Sequence, residues 1–500
     1  MIPNIKKISF SLIVFFLTAL ANGQVKKYEP TWESLDSRPV PQWFSDAKFG
    51  IFIHWGPYSV PAWTPKGVYS EWYQNWLVTR NLSGNGNPSP TAVYDYHRAK
   101  FGEHFSYYNF GEMFKAEDFN PADWAKLFKD AGAKYIVLTS KHHDGFALWP
   151  SKEADKTWGF PWNSVSNGAH RDLVGDLEKE VRKTDVKFGL YYSLYEWYNP
   201  LWLSDTERYV NEHFLPQVKD LINSYKPDIL WSDGDWEINA ERWKAPELLA
   251  WIYNESPVKD KILVNDRWGK DVRRTHGTFL TSEYGGSGNI NRPWEETRGI
   301  GVSFGYNRNE DIEDYNSPQT LILLLADVVS HGGNLLLDIG PDGNGKIPVI
   351  MQERLLQMGE WLKVNGEAIY GTTKWKNPVQ WSKGNIVEAL EYKKLHKIRY
   401  LGGDFILKQT VSPEPGMAVK EVFFTKKGTD LFAILPKFPD KQILIKDIPV
   451  TAATRITLLG TDRQLSWKKS GDGIVIMPAS VPYSEVPCQY AWVLKISGIQ

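Results

Sequence analysis

Between about residue 47 and residue 340 the chain alternates short apolar runs with amphipathic stretches. The runs read KFGIFIHW, KYIVLTSKHH, KFGLYYS, DILWSD, ILVNDR, TFLTSE, GVSFGY and GNLLLDIGP. Each has the length of a buried strand. Helical patterns lie between them. Asn120 reads as an N-cap ahead of Pro121, with Trp124, Leu127 and Phe128 at helical spacing and Gly132 as the stop. Further helices are predicted over 173–183, 206–225, 246–253, 317–330 and 348–365. Strand-then-helix repeated eight times predicts a (β/α)8 TIM-like barrel. Beyond about Thr372 the pattern changes to AVKEVFFTKKG, DLFAILPK, KQILIKDI, TRITLLG and YAWVLKIS, punctuated by Gly and Pro. That alternation predicts a C-terminal antiparallel β-sandwich, either a packing partner or a sugar-binding module.

The start of the chain adds a third segment. Lys6 and Lys7 precede ISFSLIVFFLTALA, and Ala21-Asn22-Gly23 supplies small residues before Gln24. The apolar run is short for a membrane span, so a cleaved signal peptide is expected, with an uncleaved anchor as the rival. The predicted organisation is a signal peptide over 1–23, a barrel over 24–372 and a sandwich over 373–500. An exported protein, periplasmic or secreted, follows from it. No other stretch is long and apolar enough to cross a bilayer. The single cysteine, Cys488, excludes an internal disulfide and reads as a small buried hydrophobe. A net charge of −1 gives no reason to expect nucleic acid or an anionic membrane surface as partner. The 23 Trp residues supply core, and also rings on which the C–H face of a sugar packs. Asn81-Leu82-Ser83 matches a glycosylation sequon.

In a barrel of this type the C-terminal strand ends build the active site. The endings here are His54, His142 with His143, Tyr191, Asp233, Arg267, Glu283, Tyr306 and Asp338. Two carboxylates among His, Trp and Tyr are the equipment of glycoside hydrolysis. Asp233, after the buried run ILW, suits a nucleophile; a strand-end cap is the bland alternative, and Asp235 is its competitor two residues on. Glu283 is the natural second carboxylate, with Glu295 and Glu296 as rivals. A metal would take His54, His142, His143 and Asp144, but neither HxH nor HExxH spacing occurs, so neutral imidazoles that bind hydroxyls are expected instead. Neighbouring strand residues face opposite ways, so His142 and His143 share a site only if the strand is already breaking. Arg267 offers a fork for a carboxylate or hydroxyl. Glu71 and Trp72 sit in a long loop over 56–112, where a Trp could cover a sugar. Tyr191 can donate to the nucleophile, while Tyr192 faces away. Lys141 reads as structural as readily as functional.

Together these segments resemble the α-L-fucosidases of glycoside hydrolase family 29. The resemblance rests on WFSDAKFGIFIHWGPYSVPAW, SEWY, KYIVLTSKHHDGFALWPS, FGLYYSLYEWYNP, DILWSDGDW, LVNDRWG and GGNLLLDIGPDGNG, in order over about residues 40 to 372. It implies a barrel followed by a β-sandwich, and hydrolysis of terminal α-L-fucose with retention. It implies Asp233 as nucleophile, Trp231 as a sugar-contacting ring, and His54, His142 and His143 as ligands of fucose hydroxyls. Glu71, Trp72, Tyr191 and Arg267 match further site positions. The acid/base varies within the family; Glu283 has the familiar spacing, with Glu295 as fallback. The variant Trp231-Ser232-Asp233-Gly234 resembles the branch that accepts simple aryl fucosides. No cofactor is implied, the partner is a fucosylated oligosaccharide or glycan, and a homo-oligomer is left open.

Overall fold

The computed structural model describes residues 26–82, 89–285, 292–386 and 405–499. The expected signal peptide and Ser83 of the sequon lie outside the described residues. Eight parallel strands form one curled sheet: β1 (Phe49–Ile53), β2 (Tyr135–Lys141), β3 (Lys187–Ser193), β4 (Ile229–Asp233), β5 (Leu263–Val264), β6 (Leu280–Glu283), β7 (Trp294–Gly299) and β8 (Asn334–Ile339). Their order is β5-β4-β3-β2-β1-β8-β7-β6, so β1 pairs with β8 and the ladder breaks between β5 and β6. That seam is held by Thr278 N donating to Val264 O at 3.0 Å. Across it, Asp266 Oδ1 accepts from Thr281 N at 3.0 Å and Thr281 Oγ1 at 2.6 Å.

Strand alternation sorts the side chains. Ile51, Ile53, Ile136 and Leu138 face the surrounding helices, while Phe52, Val137, Tyr191, Ile229, Trp231 and Leu336 fill the barrel. Phe44, from a short helix over Gln42–Ala47, packs with Phe279 and Tyr135 in this inner core. The helix over Pro121–Asp130 starts as its cap predicts, with Asn120 accepting from Ala122 N and Asp123 N. The expected helix over 206–225 is interrupted by a π turn at Val210–Phe214. Pro216 lacks an N–H and clashes with the preceding turn, which is the usual cause of such a break.

Two strand expectations need correction. The seventh strand is not GVSFGY but Trp294–Gly299, and Tyr306 stands in the loop beyond it. WEETRG carries three charges, yet Glu296 and Arg298 form a buried ion pair with each other. The fifth strand ends at Val264 rather than running to Arg267. There the Asn265 side chain replaces backbone pairing, accepting from Ser232 N at 3.0 Å and donating to Ser232 O at 2.8 Å.

Past Thr373 come a five-stranded and a three-stranded antiparallel sheet. Val422, Phe424, Leu431 and Ala433 on one face of the larger sheet pack with Ile445, Ile474 and Ile476 of the smaller. Phe423, Phe432 and Ile434 on its other face join the core around the barrel helices. No helix among the described residues is long and apolar enough to cross a membrane.

Candidate active site

Inward positions at the C-terminal strand ends converge on one pocket. Past β1, His54 continues the inward register of Phe52. The β2–β3 register shifts between Thr139 and Lys141. His142 and His143 therefore leave β2 in a loop, and both reach the pocket. Tyr191 faces inward, whereas the Tyr192 hydroxyl donates outward to Gln217 at 2.7 Å. Trp231 and Asp233 point in from β4, and Glu283 closes β6. The three histidines, Glu71, Trp72, Tyr191, Trp231, Asp233, Arg267 and Glu283 all line this cavity.

Arg267 organises the carboxylates. Its Nε donates to Thr281 Oγ1 at 3.0 Å, Nη1 to Asp233 Oδ1 at 2.8 Å and Nη2 to Glu283 Oε2 at 3.3 Å. The guanidinium also lies over the Trp231 ring, 4.5 Å from its centroid. Tyr191 donates to Asp233 Oδ2 at 3.1 Å, and His143 Nε2 stands 3.6 Å from the same oxygen. Burial opposes ionisation of Asp233, but the charge of Arg267, then His143 and Arg273, outweighs it and holds the carboxyl well below its usual range. The Tyr69 hydroxyl reaches Glu283 Oε1 at 3.5 Å.

The imidazoles are uncharged at neutral pH. Burial lowers His143 to about 4, with the charge of Asp233 opposing. Burial likewise lowers His54 to about 3. His54 Nδ1 pairs with Asp338 Oδ1 at 2.6 Å, and burial raises Asp338, so a neutral ring sits against a carboxyl that favours its proton. Glu71 is raised to about 8 by burial, against bonds that Oε2 accepts from Gly305 N at 2.8 Å and Ser303 Oγ at 3.3 Å. At neutral pH it is mostly protonated and can donate to a hydroxyl.

The other carboxylate candidates stand elsewhere. Glu295, the fallback acid/base, is the second residue of β7, inside the barrel and fully buried. Its Oε2 accepts from Tyr135 Oη at 2.5 Å and its Oε1 from Trp231 Nε1 at 2.9 Å, which commits one oxygen to the phenol and the other to the indole. Glu296 is in the ion pair with Arg298. Asp235 lies past β4 and pairs with Arg273. Asp144 turns to the Tyr107 hydroxyl at 2.6 Å and Phe146 N at 3.2 Å. No group of three or more His, Cys, Asp or Glu among the described residues is set to hold a metal. Sequence reading missed Phe52, Tyr69, Trp236, Thr297 and Phe304, which complete the lining. Phe304 stacks between His54 (5.2 Å) and Tyr69 (5.1 Å) and is an apolar wall. It lies within the run mistaken for a strand. Thr297 is the inward position of the strand missed, so correct assignment of β7 would have found it.

The sequence as a whole has known counterparts. Residues 15–367 match the Alpha-L-fucosidase family, and residues 417–497 match the Alpha-L-fucosidase C-terminal domain. The tissue alpha-L-fucosidase of Homo sapiens is 40% identical over 486 residues, covering 95% of this chain and 93% of its own. The alpha-L-fucosidase of Dictyostelium discoideum is 43% identical over 380 residues, covering 73% of this chain and 79% of its own. A crystal structure of Thermotoga maritima alpha-fucosidase superposes with a TM-score of 0.74 at 38% identity, covering 94% of this chain and 100% of that one. That protein has also been solved with fucose and with a mechanism based inhibitor. The motifs, the barrel with its two antiparallel sheets, the pocket and these matches converge: the chain belongs to the alpha-L-fucosidase family of glycoside hydrolases.

Proposed function

We propose that this pocket removes terminal α-L-fucose from fucosylated glycans or oligosaccharides by double displacement, with Asp233 as nucleophile and Glu283 as acid/base. The observation that carries the reading is the Arg267 bridge, one guanidinium donating to both carboxylates from between them. The bridge holds both carboxyl groups at one pocket, and retention calls for them to stand roughly 5–5.5 Å apart. Asp233, kept ionised by its cations, attacks C1. Glu283 protonates the leaving oxygen and then takes a proton from water. The neutral imidazoles, Glu71 and Tyr191 hold the hydroxyls, and Trp72, Trp231 and Phe304 cover the apolar face and the C5 methyl. No step calls for a metal or cofactor. The lysine-led apolar leader fits an exported enzyme.

A panel of nitrophenyl glycosides, run with and without a chelator, tests this. The α-L-fucoside is expected to be cleaved, with NMR showing α-L-fucose, the retained anomer, as first product. Asp233→Gly should lower kcat on the order of 10³-fold or more. Cleavage of a galactoside but not the fucoside, or an undiminished Asp233→Gly variant, would refute the reading.

A further inference from the structure

Asp233 is gripped from a second side, by residues outside the pocket lining. Gly234 turns the chain at φ 73°, and a Cβ there would stand 2.7 Å from Tyr195 Cδ1, so glycine is required. The turn brings the buried Asp235 beside Asp233. Arg273, from the loop after β5, meets both. Its Nε donates to Asp235 Oδ2 at 2.8 Å, and its Nη2 donates to Asp235 Oδ1 at 2.7 Å and to Asp233 Oδ1 at 3.2 Å. The loop is itself pinned, with Ala240 N donating to Asp271 Oδ1 and Arg274 N to Asp266 Oδ2, each at 2.9 Å. Asp235 thus fixes the guanidinium with a two-pronged grip, and the guanidinium delivers a second N–H to the oxygen that Arg267 already holds. Asp233 Oδ1 accepts from two cations. Oδ2 is left with the neutral Tyr191 hydroxyl.

We propose that Arg273, set in place by Asp235, is a positioning residue that makes Oδ2 the attacking oxygen and makes Asp233 a better leaving group in the second step. This rests on the double-displacement reading above. In the first step an Oδ2 electron pair forms the bond to C1, the C1–O bond to the leaving group breaks, and Glu283 supplies that oxygen's proton. The resulting ester keeps Oδ1 as its carbonyl oxygen, still beside both guanidinium groups. In the second step water oxygen bonds to C1, its proton goes to Glu283, and the C1–Oδ2 pair returns to Asp233. Negative charge regrows on the carboxylate as that bond breaks, and donors already aimed at Oδ1 stabilise it without reorganisation. The same donors make the free carboxylate less nucleophilic. Arg273 therefore slows formation of the intermediate and speeds its breakdown. Arg267 also holds Glu283, so its removal would disturb both steps at once; Arg273 isolates the effect.

The test uses the full chain and a nitrophenyl α-L-fucoside. Arg273→Gln alone leaves Asp235 buried without its cation, which threatens the fold. The double variant Asp235→Asn/Arg273→Gln leaves a neutral pair and is the main probe, with Arg273→Lys as the conservative one. For the double variant kcat and KM are expected to fall together by about tenfold, with kcat/KM held within about threefold. A burst of nitrophenolate and a fucosyl-enzyme mass should appear before steady state. Arg273→Lys should restore most of kcat. A fall in kcat/KM with KM unchanged or raised, or kinetics equal to wild type, would overturn the proposal. If wild-type enzyme itself forms no covalent adduct at Asp233, the double-displacement reading fails instead.

Discussion

The state of His143 follows from its neighbours. Its Nδ1 lies 2.6 Å from Ser193 Oγ, and that hydroxyl donates its own hydrogen to Tyr195 O at 2.6 Å. Ser193 has no second hydrogen, so Nδ1 must be the donor and Nε2 carries the lone pair. That lone pair stands 3.6 Å from Asp233 Oδ2, with two acceptors presented to one place. A hydroxyl placed there would find an acceptor on either side. Protonation of Nε2 would turn the acceptor into a donor that pairs with the Asp233 carboxylate. His143 titrates at about 4, so kcat/KM is expected to fall as pH drops through that region and to be flat above it on this account. His143→Ala should lower kcat/KM by about 10² at pH 6. Ser193→Ala, which only unlocks the tautomer, should cost less and broaden the acid limb. A pH–rate profile of each variant checks both. Stability carries the same sign. The folded state holds the ring's proton more weakly than the unfolded chain, whose His lies near 6.5, so this contribution is complete above 6.5 and is lost as pH falls toward about 4.

At the scale of elements, the weak place in the barrel is also where its chemistry is mounted. β5 is two residues long, and between it and β6 the Asp266 side chain stands in for a ladder, accepting from Thr281 and from Arg274 N. Arg267 follows Asp266 directly and spans from β4 to β6. Asp266→Ala is expected to cost about 2–4 kcal/mol in urea unfolding, because Thr281 N is buried and left without its acceptor. Activity should fall by more than that loss of folded protein explains, since Arg267 loses its setting; comparison of kcat/KM with the folded fraction measures the excess. The same region marks the limit of what the sequence displays. His54, Tyr191 and Asp233 follow apolar runs, and strand alternation alone turns them inward, so their places were legible. His142 and His143 needed a strand break that only the register shift reveals. Arg273 carries no local signal, since its role depends on a loop folding back onto Asp235. β7 was hidden because a strand with three charged residues contradicts burial unless the charges pair. Glu296 and Arg298 pair with each other, and Glu295 is held by Trp231 and Tyr135 from other strands. Such long-range pairing leaves no trace in local periodicity.

For the molecule as a whole, the antiparallel sheets are joined to the barrel by more than apolar contact. Trp361 Nε1 donates to Ala491 O at 2.8 Å, and Gln319 Nε2 donates to Pro436 O at 3.1 Å and Tyr490 O at 3.0 Å. Deeper in the interface Lys420 Nζ from the first long hairpin donates to Asp327 Oδ1 at 2.7 Å and Oδ2 at 2.6 Å. Asp327 belongs to the helix over Pro318–Ser330, which is apolar nearly all round and sits between the barrel and the added sheet. Burial works against a charge on Asp327, but Lys420, then His331, overcomes it and holds the carboxyl at about 2. Removing one partner should be far worse than removing both. Lys420→Met would strand a buried carboxylate and is expected to lower stability by about 3–5 kcal/mol, whereas Asp327→Leu/Lys420→Met should recover most of that loss. The dependence on pH supplies an independent check. Asp327 binds its proton more weakly in the folded state than its ordinary 3.8, so the pair's contribution is complete above that value and drains away as pH falls toward about 2. Urea unfolding at pH 6 and pH 3 should therefore show a smaller acid loss in the double variant than in wild type. An equal acid loss in both would mean that the Asp327–Lys420 pair adds no net stability to the interface.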